Sequence, residues 1–159
     1  MSIETKEEMF LRELRKLYHA ELEILDLHRD LSTAAASEEV SALFASHRDD
    51  TTVQINRIEA MFEMIGAEPS ARASPIMEGL VAEKDEFIEE VESDELRDID
   101  AIGIGTINER IEITLLDRLI LLATELDYPD DLVDGLRKNR SEAESALAHM
   151  RSLVAAERS

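Results

Sequence analysis

The 159 residues carry 37 acidic side chains against 17 basic ones, for a formal charge of −20, with 44% hydrophobic residues, five Gly, three Pro and no Cys. Without cysteine there is no disulfide, thiolate nucleophile, zinc finger or cysteine-held cluster, so any metal must be bound through O and N ligands. The charge repels phosphate backbones, and the densest basic patch, Arg137, Lys138 and Arg140, is small, so no nucleic acid partner is expected.

The length suits one domain, residues 1–159, large enough to enclose a dry core. The acids are spread along the chain rather than gathered in a tail. This fits a solvated acidic surface of the halophilic kind, in a high-salt cytoplasm where screening relieves self-repulsion. Met1 to Arg15 is acidic from the start, and the longest apolar run, Leu119 to Ala123, is five residues, so a cytoplasmic protein with no membrane span is expected.

Apolar residues recur at helical spacing in five segments. The first is predicted from about Thr5 to Leu31, ending in the small polar stretch Ser32 to Ser37. Ser37 with Glu38 and Glu39 offers an N-cap and two acids on the helix dipole, opening a second helix to about Ile65. Gly66 and Pro69 stop it, and Ser74 with Pro75 starts a shorter helix to about Glu92 with the stripe Ile76, Leu80, Phe87 and Val91. Asp94 and Glu95 open a fourth helix to about Leu126. Tyr128, Pro129, Asp130 and Asp131 mark the start of a fifth, fraying over Ala155 to Ser159. Two long helices, a crossover carrying a short helix, then two more long helices predict an all-α, ferritin-like four-helix bundle.

Five polar side chains, Glu21, His47, Gln54, Glu109 and Glu112, occupy stripe positions where Leu or Ile is expected. Desolvating a lone carboxylate is costly, so a metal, a base or a hydrogen-bond network must neutralise such groups. In the first helix Phe10, Leu14, Leu17, Glu21, Leu25 and His28 share one stripe, which points Glu21 inward; His28, near the helix end, reads as a core or boundary histidine rather than a ligand. In the second, His47 and Asp50 stand at i, i+3, the reach of two ligands to one ion or of a carboxylate orienting an imidazole. The fourth helix has Ile104, Ile107, Ile111, Leu115, Leu119 and Leu122 on one side, and Glu109 and Glu112 inside its apolar arc can chelate hard cations. In the fifth, the stripe Leu132, Leu136, Arg140, Ala143, Leu147, Met150 and Val154 places Arg140 inward, where it either bends to the surface or neutralises the acids without metal. His19 and His149 fall off the stripes and should be exposed, and Tyr18 is near enough in sequence to donate to Glu21.

The strings Leu17-Tyr18-His19-Ala20-Glu21, Ser46-His47-Arg48-Asp49-Asp50-Thr51 with Gln54-Ile55 and Arg57-Ile58, Met77-Glu78-Gly79-Leu80, Leu96-Arg97-Asp98, Glu109-Arg110-Ile111-Glu112-Ile113 and Leu126-Asp127-Tyr128 together resemble the YciE/YciF family of ferritin-like proteins. The resemblance runs from about Leu14 to Leu153. It implies a ferritin-like bundle, often dimeric, linked to stress responses and to a di-iron or ferroxidase-type centre. Carried over by position, Glu21, His47, Asp50, Glu109 and Glu112 are the candidate metal ligands, and Glu78 matches a crossover acid without an assignable role. Asp50, Arg110 and the Arg137 to Arg140 run depart from the family pattern; the last adds cations where relatives are acidic.

Two functions compete. One is a di-metal carboxylate protein holding iron or manganese, with oxygen or peroxide as oxidant. The other is a metal-free structural or stress-related homo-oligomer whose acids are neutralised by Arg140 and His47. A homodimer or other homo-oligomer is expected under either. No Gly-rich phosphate loop or Ser/His/Asp arrangement is present.

Overall fold

A computed structural model describes residues 2–158, with side chains as far as residue 154; the fifth helix, expected to fray over Ala155 to Ser159, continues to Arg158, and Ser159 lies outside the described residues. Five helices follow in order, α1 (Lys6–Ala34), α2 (Glu38–Met64), α3 (Pro75–Glu90), α4 (Asp94–Glu125) and α5 (Asp130–Arg158), and no strand occurs among the described residues.

The ends are set by local chemistry. Thr5 accepts from the Glu8 amide at 3.1 Å, Ser37 from that of Val40 at 3.2 Å and Ser74 from that of Met77 at 3.4 Å, satisfying amides the first helical turns leave free. At the end of α2 the Ala67 amide reaches back to the Phe62 carbonyl and Gly66 to Glu63, with Gly66 at φ 71°. The same pair of bonds closes α4, Tyr128 to Ala123 and Asp127 to Thr124, and there the left-handed residue is Asp127, at φ 52°. The first helix runs three residues past its expected end at Leu31, to Ala34.

Short turns make α1–α2 and α4–α5 into hairpins, which pack through α1 on α4 and α2 on α5 as a ferritin-like four-helix bundle. The crossover helix α3 lies outside, against α1 and α4. It buries Met77, Leu80 and Phe87, while Ile76, expected inward, is 59% exposed. The fourth buried residue of α3 is Lys84, whose ammonium bonds Asp30 at 2.6 Å and Asp85 at 2.9 Å and so ties the crossover to α1.

The start of α4 locks these pieces together. The Arg97 guanidinium donates to the carbonyls of Ala34 and Val91 at 2.9 and 2.6 Å, so the last turns of α1 and α3 are capped by one side chain. The Asp98 carboxylate accepts from the Ala36 and Ser37 amides, at 2.7 and 3.2 Å, at the entrance to α2. Asp98→Ala strands these amides and is expected to cost about 1–3 kcal/mol in chemical denaturation. A change within about 0.5 kcal/mol would show that water replaces the carboxylate freely.

The apolar core divides in two. One cluster gathers Ile24, Leu27, Leu31, Leu43, Phe44, Ala101, Ile102 and Met150; the other gathers Phe10, Leu14, Leu17, Ile58, Phe62, Leu116, Leu119 and Leu136. Gly105 lets α4 approach closely in the first, since a Cβ there would lie 2.7 Å from the Phe44 ring. Between the clusters every long helix turns polar side chains inward.

Candidate metal centre

The polar layer takes Glu21 and His28 from α1, His47, Thr51 and Gln54 from α2, Asn108, Glu109 and Glu112 from α4, and Asn139 from α5, all buried. All five polar side chains that interrupt the stripes therefore lie in the interior: Glu21 is 2%, His47 7%, Gln54 6%, Glu109 3% and Glu112 3% exposed.

Burial pushes all three glutamates toward their protonated forms. Burial, then the negative charge of Glu112, pushes Glu21 well above the ordinary carboxylate range, and the same two causes act on Glu109. Glu112 is raised by burial, but hydrogen bonds from Glu21, Glu109 and Asn108 favour its ionised form. Asn108 donates to Glu112 Oε2 at 3.0 Å. Burial thus favours protons within the cluster, and the hydrogen bonds that Glu112 accepts make it the member whose ionised form is best supported.

Beside them stand two imidazoles with no proton to spare. Burial, then the nearby His47, lowers His28 to about 3; burial, then His149, lowers His47 to about 4, so both rings are neutral bases at neutral pH. The ring centroids are 5.8 Å apart. Thr51 Oγ lies 3.4 Å from His28 Nδ1 and donates to the His47 carbonyl at 2.9 Å, which leaves it a weak partner for the ring.

The fit to a cation rests on unpaired atoms. His28 Nε2, His47 Nδ1, Glu21 Oε2 and Asn108 Oδ1 are buried without a hydrogen-bond partner. Such orphans are rare in folded proteins and mark either strain or a guest. One ligand atom each from His28, His47 and Glu109 lie within 4.8 Å of one another. The cavity they border, also lined by Asp50, Gln54, Glu112 and Glu142, has a volume of about 10 Å³, room for roughly one water-sized guest. Neutral imidazole beside carboxylate is a donor set suited to iron or manganese.

Several expectations change. Asp50 is exposed and stands at the rim of the cavity rather than inside it, its carboxyl raised by partial burial and by Glu142 and Asp49. His28, expected as a satisfied core histidine, has an unpaired nitrogen and joins the cluster. Tyr18 donates to Glu59 at 2.9 Å, not to Glu21. His149 is exposed as expected, whereas His19 is half-buried, and Glu78 lies exposed in the first turn of α3.

The largest correction concerns Arg140. Its guanidinium turns to the surface, pairing with Asp117 of α4 and with Glu144 at 2.7 Å, and supplies no charge to the buried acids. The inward position on that turn belongs to Asn139, 3% exposed. The α5 acid facing the cavity is Glu142, which accepts from Gln54 at 3.1 Å and Arg57 at 2.7 Å; Arg57 also donates to Asn139 at 2.8 Å. Neither Glu142 nor Asn108 stood out in the sequence. Glu142 follows the basic run Arg137 to Arg140 and falls off the apolar stripe, and Asn108 is neighbour to an isoleucine that fits an apolar stripe. Arg140→Leu is accordingly expected to change stability by less than about 1 kcal/mol, the value of an exposed ion pair. A loss of about 3 kcal/mol or more would instead mean that it neutralises buried charge.

Four long helices with a crossover helix, carrying glutamates and histidines in a polar layer, define a ferritin-like bundle with an interior carboxylate–imidazole cluster. Residues 5–158 match the family described as Domain of unknown function (DUF892). The chain is 33% identical to Protein YciF of Escherichia coli (strain K12) over 129 residues, 80% of this chain and 78% of that one. The structure of the E. coli stress protein YciF superposes with a TM-score of 0.90 at 28% identity, covering 95% of both chains. YcfI of Rhodopseudomonas palustris, proposed to be a structural protein, superposes with a TM-score of 0.91 at 30% identity, covering 94% of this chain and 95% of that one. The chain belongs to this DUF892 family, the YciE/YciF family of ferritin-like proteins. Among the described residues no helix is long and apolar enough to cross a membrane.

Proposed function

We propose that this chain is a single-domain, cytoplasmic YciF-type protein whose polar layer is a metal centre for iron or manganese. His28, His47 and Glu109 hold the first ion; Glu21 and Glu112 supply carboxylates for a second, with Asp50 at the rim. The observation that carries this reading is the convergence of two neutral imidazoles with unpaired nitrogens on a buried carboxylate. A bound redox metal would supply electron transfer to oxygen or peroxide, with iron or an organic reductant as substrate. The residues of the chain keep water out, hold the imidazoles neutral and store two protons on Glu21 and Glu109 that a dication displaces. A role in stress, as the name of the E. coli relative has it, is consistent with such a centre.

A second reading is favoured by one observation: Glu21, Glu112, Glu109 and Asn108 already satisfy much of each other by hydrogen bonding. In that reading the cluster is a proton-neutralised polar core of a structural homo-oligomer, without help from Arg140. Metal analysis after anaerobic incubation with Fe(II) or Mn(II) and desalting decides. At least one equivalent per chain is expected, and less than about a tenth of an equivalent would remove the metal reading.

A further inference from the structure

A solvent-open groove adjoins the buried cluster. Ser46, His47 and Asp50 of α2 face Ser141, Glu142, Ser145, Ala146 and His149 of α5 across an open groove, and His47, Asp50, Glu142 and Ala146 line both this groove and the inner cavity. The His47 and His149 rings stand edge to face with centroids 6.2 Å apart. His47 is 7% exposed, and its Nδ1 has no partner.

From this geometry we propose that the α2–α5 groove is the loading route of the metal centre, an outer capture position for a hydrated divalent cation formed by His149, Asp50 and Glu142. The proposal rests on the metal reading above and adds how the ion arrives. Asp50 and Glu142 bring two carboxylates to the groove, and the Arg57 guanidinium, 2.7 Å from Glu142 Oε1, offsets only part of their charge, so a cation is attracted there before it meets the interior. Both hydrogen bonds to Glu142 fall on Oε1, which leaves its other oxygen for an ion. His149 offers an exposed imidazole next to His47, and the shared wall residues make the step from outer to inner position a short one. The outer groups are not drawn together as tightly as His28, His47 and Glu109, the group of buried ligands that lies within bonding reach of one ion. This difference makes the groove a transit position rather than a second store. His149 is therefore a positioning residue for the incoming ion, not a ligand of the resident one.

The test follows Co(II) uptake by the absorbance of the bound ion, with wild type, His149→Ala, His149→Asp and Ser145→Lys. Residues 145 and 149 are exposed, so these variants keep the fold. His149→Ala and Ser145→Lys are expected to slow uptake about tenfold at low salt, while His149→Asp restores it, and all reach the wild-type number of equivalents. Wild-type rates in every variant would overturn the loading route and leave the metal centre intact. Fewer final equivalents in His149→Ala would make His149 a ligand and overturn the transit role. No uptake by the wild type would remove the metal centre and the route with it.

Discussion

Glu109→Gln is expected to abolish stabilisation by Mn(II) or Fe(II) while leaving the metal-free protein as stable as the wild type. Burial and the charge of Glu112 favour the protonated form of Glu109 in the empty cluster, where a hydrogen bond to Glu112 supports it. An amide of the same shape makes the same donation, so the hydrogen-bonded layer survives. What the amide cannot supply is the anionic oxygen that sits with His28 and His47 around one point. In the wild type, metal at a hundredfold excess over Kd adds about 2.7 kcal/mol, since binding is confined to the native state. For a chain of this size that raises Tm by roughly 5–10 °C. Thermal unfolding with and without Mn(II) reads the result. A variant that keeps the full shift would show that the ion sits elsewhere, and a variant that loses several kcal/mol without metal would show that Glu109 is ionised in the empty protein.

The metal-free protein is expected to be most stable between pH 4.5 and 6.5, and less stable on either side. Burial and the charge of Glu112 hold Glu21 and Glu109 in the folded chain above the ordinary glutamate value of 4.5. Above that pH the native state binds more protons than the unfolded chain, so stability falls as pH rises towards the raised values. His28 and His47 move the other way, from 6.5 to about 3 and about 4. Below pH 6.5 the unfolded chain binds more protons at these rings, and stability falls as pH falls through that window. Each unit of difference is worth about 1.4 kcal/mol at full effect. Above pH 6.5 the rings are neutral in both states, so any downward slope there comes from carboxylates still protonated in the fold. Metal reverses the slope, because its ligands bind it only when deprotonated. Denaturation midpoints in chelator and in Mn(II) across this range check both signs; a metal-free protein whose stability is flat above pH 6.5 would show that the buried glutamates are already ionised.

Helix starts were legible because they are local: Ser37 and Ser74 cap the turns immediately after them, and Gly66 takes the left-handed position that closes α2. The inward glutamates were legible too, since an acid at a core register of a long helix has few places to go, and Glu21, Glu109 and Glu112 are all buried. The phase of α4 and α5 near the centre was not. A helix turns about 100° per residue, and a bundle-facing arc spans more than one position, so apolar spacing alone does not distinguish neighbours. Ile107 and Arg140 fitted their stripes, yet Ile107 is 47% exposed, Arg140 reaches the surface, and Asn108 and Asn139 point inward instead.

By itself, then, the sequence determined a helical bundle with a crossover and a layer of polar groups that water cannot reach, because caps and core registers are properties of single helices. The tertiary structure alone decided which groups meet. His28 becomes a partner of His47, Asn139 takes the inward place assigned to Arg140, Glu142 faces the cavity, and Asp50 moves out to the rim. Those outcomes depend on how four helices rotate against each other to fill two apolar clusters, and that rotation is set by packing across helices that no spacing along one of them records.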